Sequence, residues 1–192
     1  MNQSILLYFN GFVHQSALLD GLGIFLIQGS LFIVPLVLLS VYVLGIVRKN
    51  ERWRTGAVVA GVFVVACVVI AELLGLVIHE PRPLFALASQ VKVLLPHAND
   101  SSFPSGHTTL CFSAAFGLYL LDKRFGIVMM VFGLLVGCAK IFAAHHYPLD
   151  IVATILLIFI LFLLYRATIE KWVTKTYRAL EHRLLPSFSQ SS

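Results

Sequence analysis

This sequence is short of charge. Only 12% of its 192 residues are Asp, Glu, Lys or Arg, about half the roughly 25% usual for a soluble globular chain. A soluble domain is thereby excluded. A hydrophobic share of 59% with mean hydropathy +0.91 excludes disorder as well. Cysteine is sparse: Cys67, Cys111 and Cys138 each sit in an apolar run, show no C-x-x-C spacing, and are odd in number. They read as small buried hydrophobes rather than as a disulfide framework. No G-x-S-x-G or H-E-x-x-H pattern occurs, so neither a nucleophile elbow nor a helical zinc-protease site is written here. Met1–Gln15 lacks a basic n-region and a small-residue cleavage site, so no cleavable signal is expected. Internal repeats are absent.

What is present is a series of long apolar runs. A helix needs roughly 17–25 mostly apolar residues to cross the hydrocarbon core. The segments near 21–47, 56–78, 106–121, 125–144 and 149–165 meet or approach that length. Residues 1–20 are less defined: Ile5, Phe9, Phe12 and Val13 share one helical face, which suits an interfacial helix, with a sixth short span as the alternative. Residues 166–183 alternate Lys171, Lys175, Arg178 and Arg183 with Ile169, Trp172, Val173 and Leu180, an amphipathic surface helix, and 186–192 are expected to fray. The expectation is an all-α integral membrane protein of five to six transmembrane helices in one bundle, with amphipathic interfacial helices at both ends. Residues 1–20 form the N-terminal segment, 21–165 the embedded domain and 166–192 the cytoplasmic tail.

The formal net charge is +5. On a soluble chain it would raise nucleic acid as a partner; on a membrane chain it decides sidedness, and no nucleic-acid partner is expected. With five spans, eleven of the 14 basic residues fall on one face: Arg48, Lys49, Arg52, Arg54, Lys123, Arg124, Arg166, Lys171, Lys175, Arg178 and Arg183. The positive-inside rule puts that face in the cytoplasm. Arg82, Lys92 and Lys140 fall on the other face. A cation kept near the end of an apolar helix is costly and reads as functional.

Three clusters share that outer face. They are Glu80-Pro81-Arg82-Pro83, Ser102-Phe103-Pro104-Ser105-Gly106-His107, and the stretch from Lys140 through His145-His146-Tyr147-Pro148 to Asp150. The second opens a helix, whose first N–H groups lack partners and attract an anion. Gly106 permits close approach, Ser105 adds a hydroxyl, and His107 can carry a proton near neutrality. A plain helix cap is the alternative. His146 and Asp150 stand four apart, so the carboxylate can hold one ring nitrogen and leave the other as nucleophile. An interfacial histidine beside a capping aspartate is the alternative. His145 is a rival for His146, five residues from Asp150. Arg82 offers a planar fork for two phosphate oxygens and Lys140 a point charge; snorkelling is the alternative for Arg82. Cations, N–H donors, an oriented nucleophile and a separate acid are together what phosphoryl transfer requires.

These residues resemble the three motifs of the type-2 phosphatidic-acid phosphatase superfamily: Arg82-Pro83, Pro104-Ser105-Gly106-His107, and Lys140 with His146 and Asp150. The resemblance implies a lipid phosphatase with no cofactor and no metal, in which His146 attacks phosphorus and becomes a phosphohistidine. Asp150 orients it, His107 protonates the leaving group, and Arg82, Ser105, Gly106 and Lys140 hold the phosphate. Lys92, Glu80 and Pro104 are further candidate substrate contacts. The sequence departs from the family at two places: Gly75 stands where the first motif usually has Lys, and Ala139-Lys140 where the third has Ser-Arg. Glu80-Pro81-Arg82-Pro83, Leu95-Pro96-His97-Ala98 and Ser102-Phe103-Pro104-Ser105 resemble the bacterial undecaprenyl-diphosphatase branch linked to bacitracin resistance. That resemblance implies undecaprenyl diphosphate as lipid substrate, cleaved to the monophosphate outside the cytoplasmic (inner) membrane. A phosphatidylglycerophosphate or phosphatidate phosphatase, or a lipid phosphotransferase, is the alternative. Glu72 inside the second span is costly there; a bond to a pocket residue and a bond to another helix are both open.

Overall fold

The computed structural model describes residues 2–184. The stretch 186–192 lies outside the described residues. The architecture is all-helical: α1 (Asn2–Asn10), α2 (Ala17–Val47), α3 (Glu51–Val77), the single turn α4 (Pro83–Ala86), α5 (Gly106–Leu121), α6 (Lys123–Phe142), α7 (Pro148–Thr168) and α8 (Glu170–Leu184). Among the described residues α2, α3, α6 and α7 are long and apolar enough to cross a membrane, and α5 is a shorter apolar helix. The chain is a multi-pass membrane protein.

Local chemistry sets the helix ends. Asn50 caps α3, accepting from the Trp53 N–H at 3.2 Å. Asp122 ends α5 and at once caps α6, accepting from the Arg124 N–H at 2.7 Å, so the two helices form a tight hairpin. Pro148 occupies the first position of α7, where its missing N–H costs nothing.

Helix α5 is the centre of the bundle. It packs against α2, α3, α6 and α7, and most of its residues are buried. Small residues permit this: a Cβ placed on Gly117 would lie 2.7 Å from the Ala60 Cβ, so only glycine lets α3 and α5 approach so closely. The outward faces of α2, α3, α6 and α7 carry exposed Phe32, Leu36, Leu76, Val128 and Leu156. Such a continuous apolar surface requires lipid.

The first and last described helices, α1 and α8, dock on this bundle. Asn10 is buried; its side chain bonds the carbonyls of Phe142 and Lys92, each at 2.9 Å, and the Lys92 N–H at 2.7 Å. Ile5, Phe9 and Phe12 do form an exposed apolar face, but Val13 is turned inside. α2 starts at Ala17, within the stretch 1–20. At the opposite end α8 packs on α3 and α7. Arg54 Nε donates to Glu181 Oε1 at 2.5 Å, both side chains being buried, and Arg178 pairs with Glu51 at 2.7 Å. Cys67 and Cys111 are buried, whereas Cys138 is exposed on the apolar face of α6, and all three are free.

Candidate active site

The long connection between α3 and α5 is tied together before it reaches the site. Pro81 and Ser101 form an antiparallel bridge, and the Ser102 N–H donates to the Glu80 carbonyl at 2.7 Å. This fixes the backbone just before Arg82, which is 5% exposed despite its charge. Two of its three guanidinium nitrogens are engaged. Nε donates to Asp100 Oδ1 at 2.6 Å, and Nη1 lies 3.0 Å from both the His145 carbonyl and His146 Nε2.

Helix α6 ends in a left-handed residue, Ala144 at φ 55°, which turns the chain sharply into His145 and His146. His146 Nδ1 is 2.6 Å from the Ser102 carbonyl oxygen. A carbonyl can only accept, so Nδ1 carries the proton and the Nε2 lone pair faces Arg82. The Asp150 carboxylate stands 4.0 Å from Nδ1, outside hydrogen-bond reach. It accepts instead from Ser102 Oγ at 2.5 Å and from the Tyr147 N–H at 2.8 Å. The sequence suggested a direct carboxylate–imidazole bond from the four-residue spacing. That spacing implies proximity only within a helix, and α7 begins at Pro148, after His146. Asp150 is the third residue of α7 and folds back on the helix start.

Arg82, Pro104, Gly106, His107 and His146 line one cavity of about 240 Å³, together with Ala71, Glu72, Gly75 and Leu76 of α3 and with His97, Asp100 and Ser101. The N-terminus of α5 opens onto it. Ser105 lies behind: its N–H donates to Thr154 Oγ1 and its hydroxyl accepts from Thr108, each at 3.0 Å. Lys140, in the last turn of α6, is 1% exposed, and its ammonium has no hydrogen-bond partner among the described residues. The helix C-terminus favours its charge there.

Burial, with Arg82 and Lys140 nearby, pushes the His146 imidazole well below its usual range, which favours the neutral ring. Burial likewise lowers His145 to about 3. Burial alone would raise Asp100, but the bond and charge of Arg82 outweigh it and hold this carboxylate below its ordinary range. Glu80 is raised, by burial and then by Asp150.

Residues 56–173 match the PAP2 superfamily. The chain belongs to that superfamily. An undecaprenyl-diphosphatase BcrC from Bacillus subtilis (strain 168) is 34% identical over 167 residues, covering 86% of this chain and 83% of the relative. A protein named bacitracin transport permease protein BcrC, from Bacillus licheniformis, is 30% identical over 193 residues, 96% of this chain and 91% of the relative. The crystal structure of Aquifex aeolicus LpxE aligns with a TM-score of 0.61 at 22% identity, over 85% of this chain and 93% of that one, and so shares the PAP2 fold.

Within this PAP2 bundle the candidates divide by place. Arg82, Pro104, Gly106, His107 and His146 face one cavity, with Ser105, Lys140 and Asp150 buried. Lys92 is turned away: Nζ donates to the carbonyls of Gly11 and Val13 at 2.7 and 3.0 Å. Glu80 lines a separate cavity of about 430 Å³ beside α1, with Tyr147. His145 also points elsewhere, Nε2 lying 3.0 Å from the Leu95 carbonyl. Two residues were not singled out from the sequence. Ser102 joins Asp150 to His146 through its hydroxyl and carbonyl, and a backbone acceptor leaves no trace in residue type. Asp100, in the connection between α3 and α5, occupies the Arg82 guanidinium, and only the closure of the loop puts it there.

Proposed function

We propose that this chain is a metal-independent lipid phosphatase that hydrolyses undecaprenyl diphosphate to undecaprenyl phosphate and inorganic phosphate, on the outer face of the cytoplasmic membrane. The observation that carries the reading is the state of His146: its Nδ1 proton is held by the Ser102 carbonyl at 2.6 Å, and Nε2 is 3.0 Å from Arg82 on a cavity that His107 shares.

The terminal phosphoryl group sits between Arg82 and the N-terminal N–H groups of α5, with Lys140 adding positive charge from behind. His146 Nε2 attacks phosphorus. The N–P bond forms as the P–O bond to the lipid phosphate breaks, and His107 gives that oxygen its proton. Water then attacks the phosphohistidine, His107 takes its proton, and His146 is released with inorganic phosphate. Asp150 and Ser102 position His146 rather than touching substrate. The diphosphate substrate is supported by the name of the Bacillus subtilis relative; the outer face is supported by the distribution of basic residues.

Purified protein in detergent with EDTA is assayed for phosphate release from undecaprenyl diphosphate, undecaprenyl phosphate, phosphatidate and phosphatidylglycerophosphate. The expected result is preference for the diphosphate, undiminished by the chelator. Loss of activity in EDTA would overturn the metal-free mechanism, and preference for phosphatidate the substrate. No phosphate release from any of the four would favour the transport activity in the name of the Bacillus licheniformis relative.

A further inference from the structure

Glu72 is an acidic residue inside a membrane-spanning helix, five positions before the end of α3 at Val77. A carboxylate at that depth is costly and is retained for function. It lines the catalytic cavity beside Gly75. A Cβ placed on Gly106 would lie 3.9 Å from Glu72 Oε1, so the carboxylate stands at the mouth of the α5 N-terminus. Among the described residues it has no hydrogen-bond or ion-pair partner. Gly75, one turn further along α3, leaves open space, with nothing within 4 Å of where its Cβ would be.

The surroundings of Glu72 change character within one turn. On the same helix Leu73 and Val77 are 57% and 76% exposed, and an apolar surface of that kind faces lipid, while Leu76, 72% exposed, also lines the cavity. Glu72 therefore stands between the cavity and the lipid-facing strip. On the functional reading above, the lipid chain of a phosphate seated at Arg82 and His146 would lead toward that strip, past Glu72.

We propose that Glu72 makes this site selective for a lipid diphosphate over the monophosphate of the same lipid. The inference rests on the functional reading given above. In a diphosphate, the group beside Glu72 is the second phosphate, which is hydrated. The carboxylate keeps its water and shares it with the phosphate, and Arg82 and Lys140 offset the added negative charge. In a monophosphate, the same position is taken by the first carbons of the chain. They strip water from a carboxylate that is otherwise exposed and return no hydrogen bond, and a polar group desolvated without a partner is costly. A site built around a polar group rejects analogues lacking its counterpart far more strongly than a site of apolar contacts does. The consequence is that the reaction stops after one phosphoryl transfer, because its own lipid product is a poor ligand.

The test compares kcat/KM for a prenyl diphosphate and for the monophosphate of identical chain length, using the full-length protein in nanodiscs as wild type, Glu72→Gln and Glu72→Leu. Leucine suits a lipid-facing helix position, so folding is not at issue, and melting curves check it. In Glu72→Leu the diphosphate-to-monophosphate ratio is expected to fall by about 100-fold or more, chiefly through a lower KM for the monophosphate. Glu72→Gln, which keeps the shape and the hydrogen-bonding capacity, is expected to hold the ratio within about tenfold of wild type. An unchanged ratio in Glu72→Leu, or equal loss of selectivity in the Gln and Leu variants, overturns the inference while leaving the functional reading intact. A wild-type protein that cleaves phosphatidate but neither prenyl substrate overturns the functional reading, and the inference falls with it.

Discussion

Arg82 Nη1 lies 3.0 Å from His146 Nε2, across a sequence separation of 64 residues. The guanidinium donates to the one imidazole nitrogen with a free lone pair. The arginine thus shields the proposed nucleophile, and an arriving phosphate replaces that bond with its own oxygens. Arg82→Lys keeps the charge but loses the planar fork and the hold on Asp100 and the His145 carbonyl. It is expected to lower kcat/KM by roughly 10²–10³, the scale for loss of one oriented donor to a developing oxyanion. Steady-state phosphate release checks this; a variant within tenfold of wild type would show that Arg82 does not touch the reacting phosphate.

The adjacent histidines should separate cleanly. His146→Ala is expected to abolish turnover and to leave no phosphoprotein when substrate labelled in the terminal phosphate is quenched with base. His145→Ala removes a ring that holds the Leu95 carbonyl and packs edge-on against His97 at 4.7 Å between centroids. It is expected to cost at most about tenfold in kcat/KM and to retain the label, since His145 lies outside the attack path. The reverse pattern would transfer the nucleophile to His145.

Asp100 competes with phosphate for Arg82. Its carboxylate takes Nε at 2.6 Å although its side chain is 58% exposed. A carboxylate this open to water can turn away into solvent, so an arriving phosphate displaces it. Asp100→Asn removes the competing charge, and inorganic phosphate is expected to inhibit roughly three- to tenfold more tightly. Product-inhibition constants measure the effect; weaker inhibition would mean that Asp100 holds Arg82 in position instead.

Buried histidines tie stability to acid pH. The imidazoles of His145 and His146 are pushed below the ordinary value of 6.5, His145 to about 3. Above pH 6.5 these rings are neutral in the folded and the unfolded chain alike, and their contribution is constant. Below it the unfolded chain takes up protons that the folded chain refuses, so stability declines as pH falls from 6.5 toward the folded values. The slope is roughly 1.4 kcal/mol per pH unit for each histidine. Unfolding midpoints between pH 7.5 and 5 are expected to drop, with a shallower slope in His145→Ala. A flat profile over that interval would contradict the burial of both rings.

The membrane character, the helix order and the meeting of three motifs on one face were legible from residue type and spacing. Apolar runs long enough to span, interrupted by charge, admit few arrangements in a bilayer, and adjacent spans must alternate in direction. Helix ends were less legible. α3 begins at Glu51 rather than near Gly56 because Asn50 caps it, and a charged first turn lies comfortably at the membrane edge. Residue type also nominated Arg82, His107 and His146, since few side chains meet a phosphate in those ways.

Tertiary structure alone decided how these groups are held. That the Ser102 carbonyl takes the His146 proton, that Asp150 serves Ser102 and the start of α7, that Asp100 occupies Arg82, and that Lys92 serves the N-terminal turn are matters of which donor reaches which acceptor. Every residue has a backbone carbonyl, so its use cannot be read from residue identity. Periodicity within one helix also says nothing across the turn where the helix begins. The reach of one loop over another depends on the whole bundle being packed, and that is where the geometry around His146 is set.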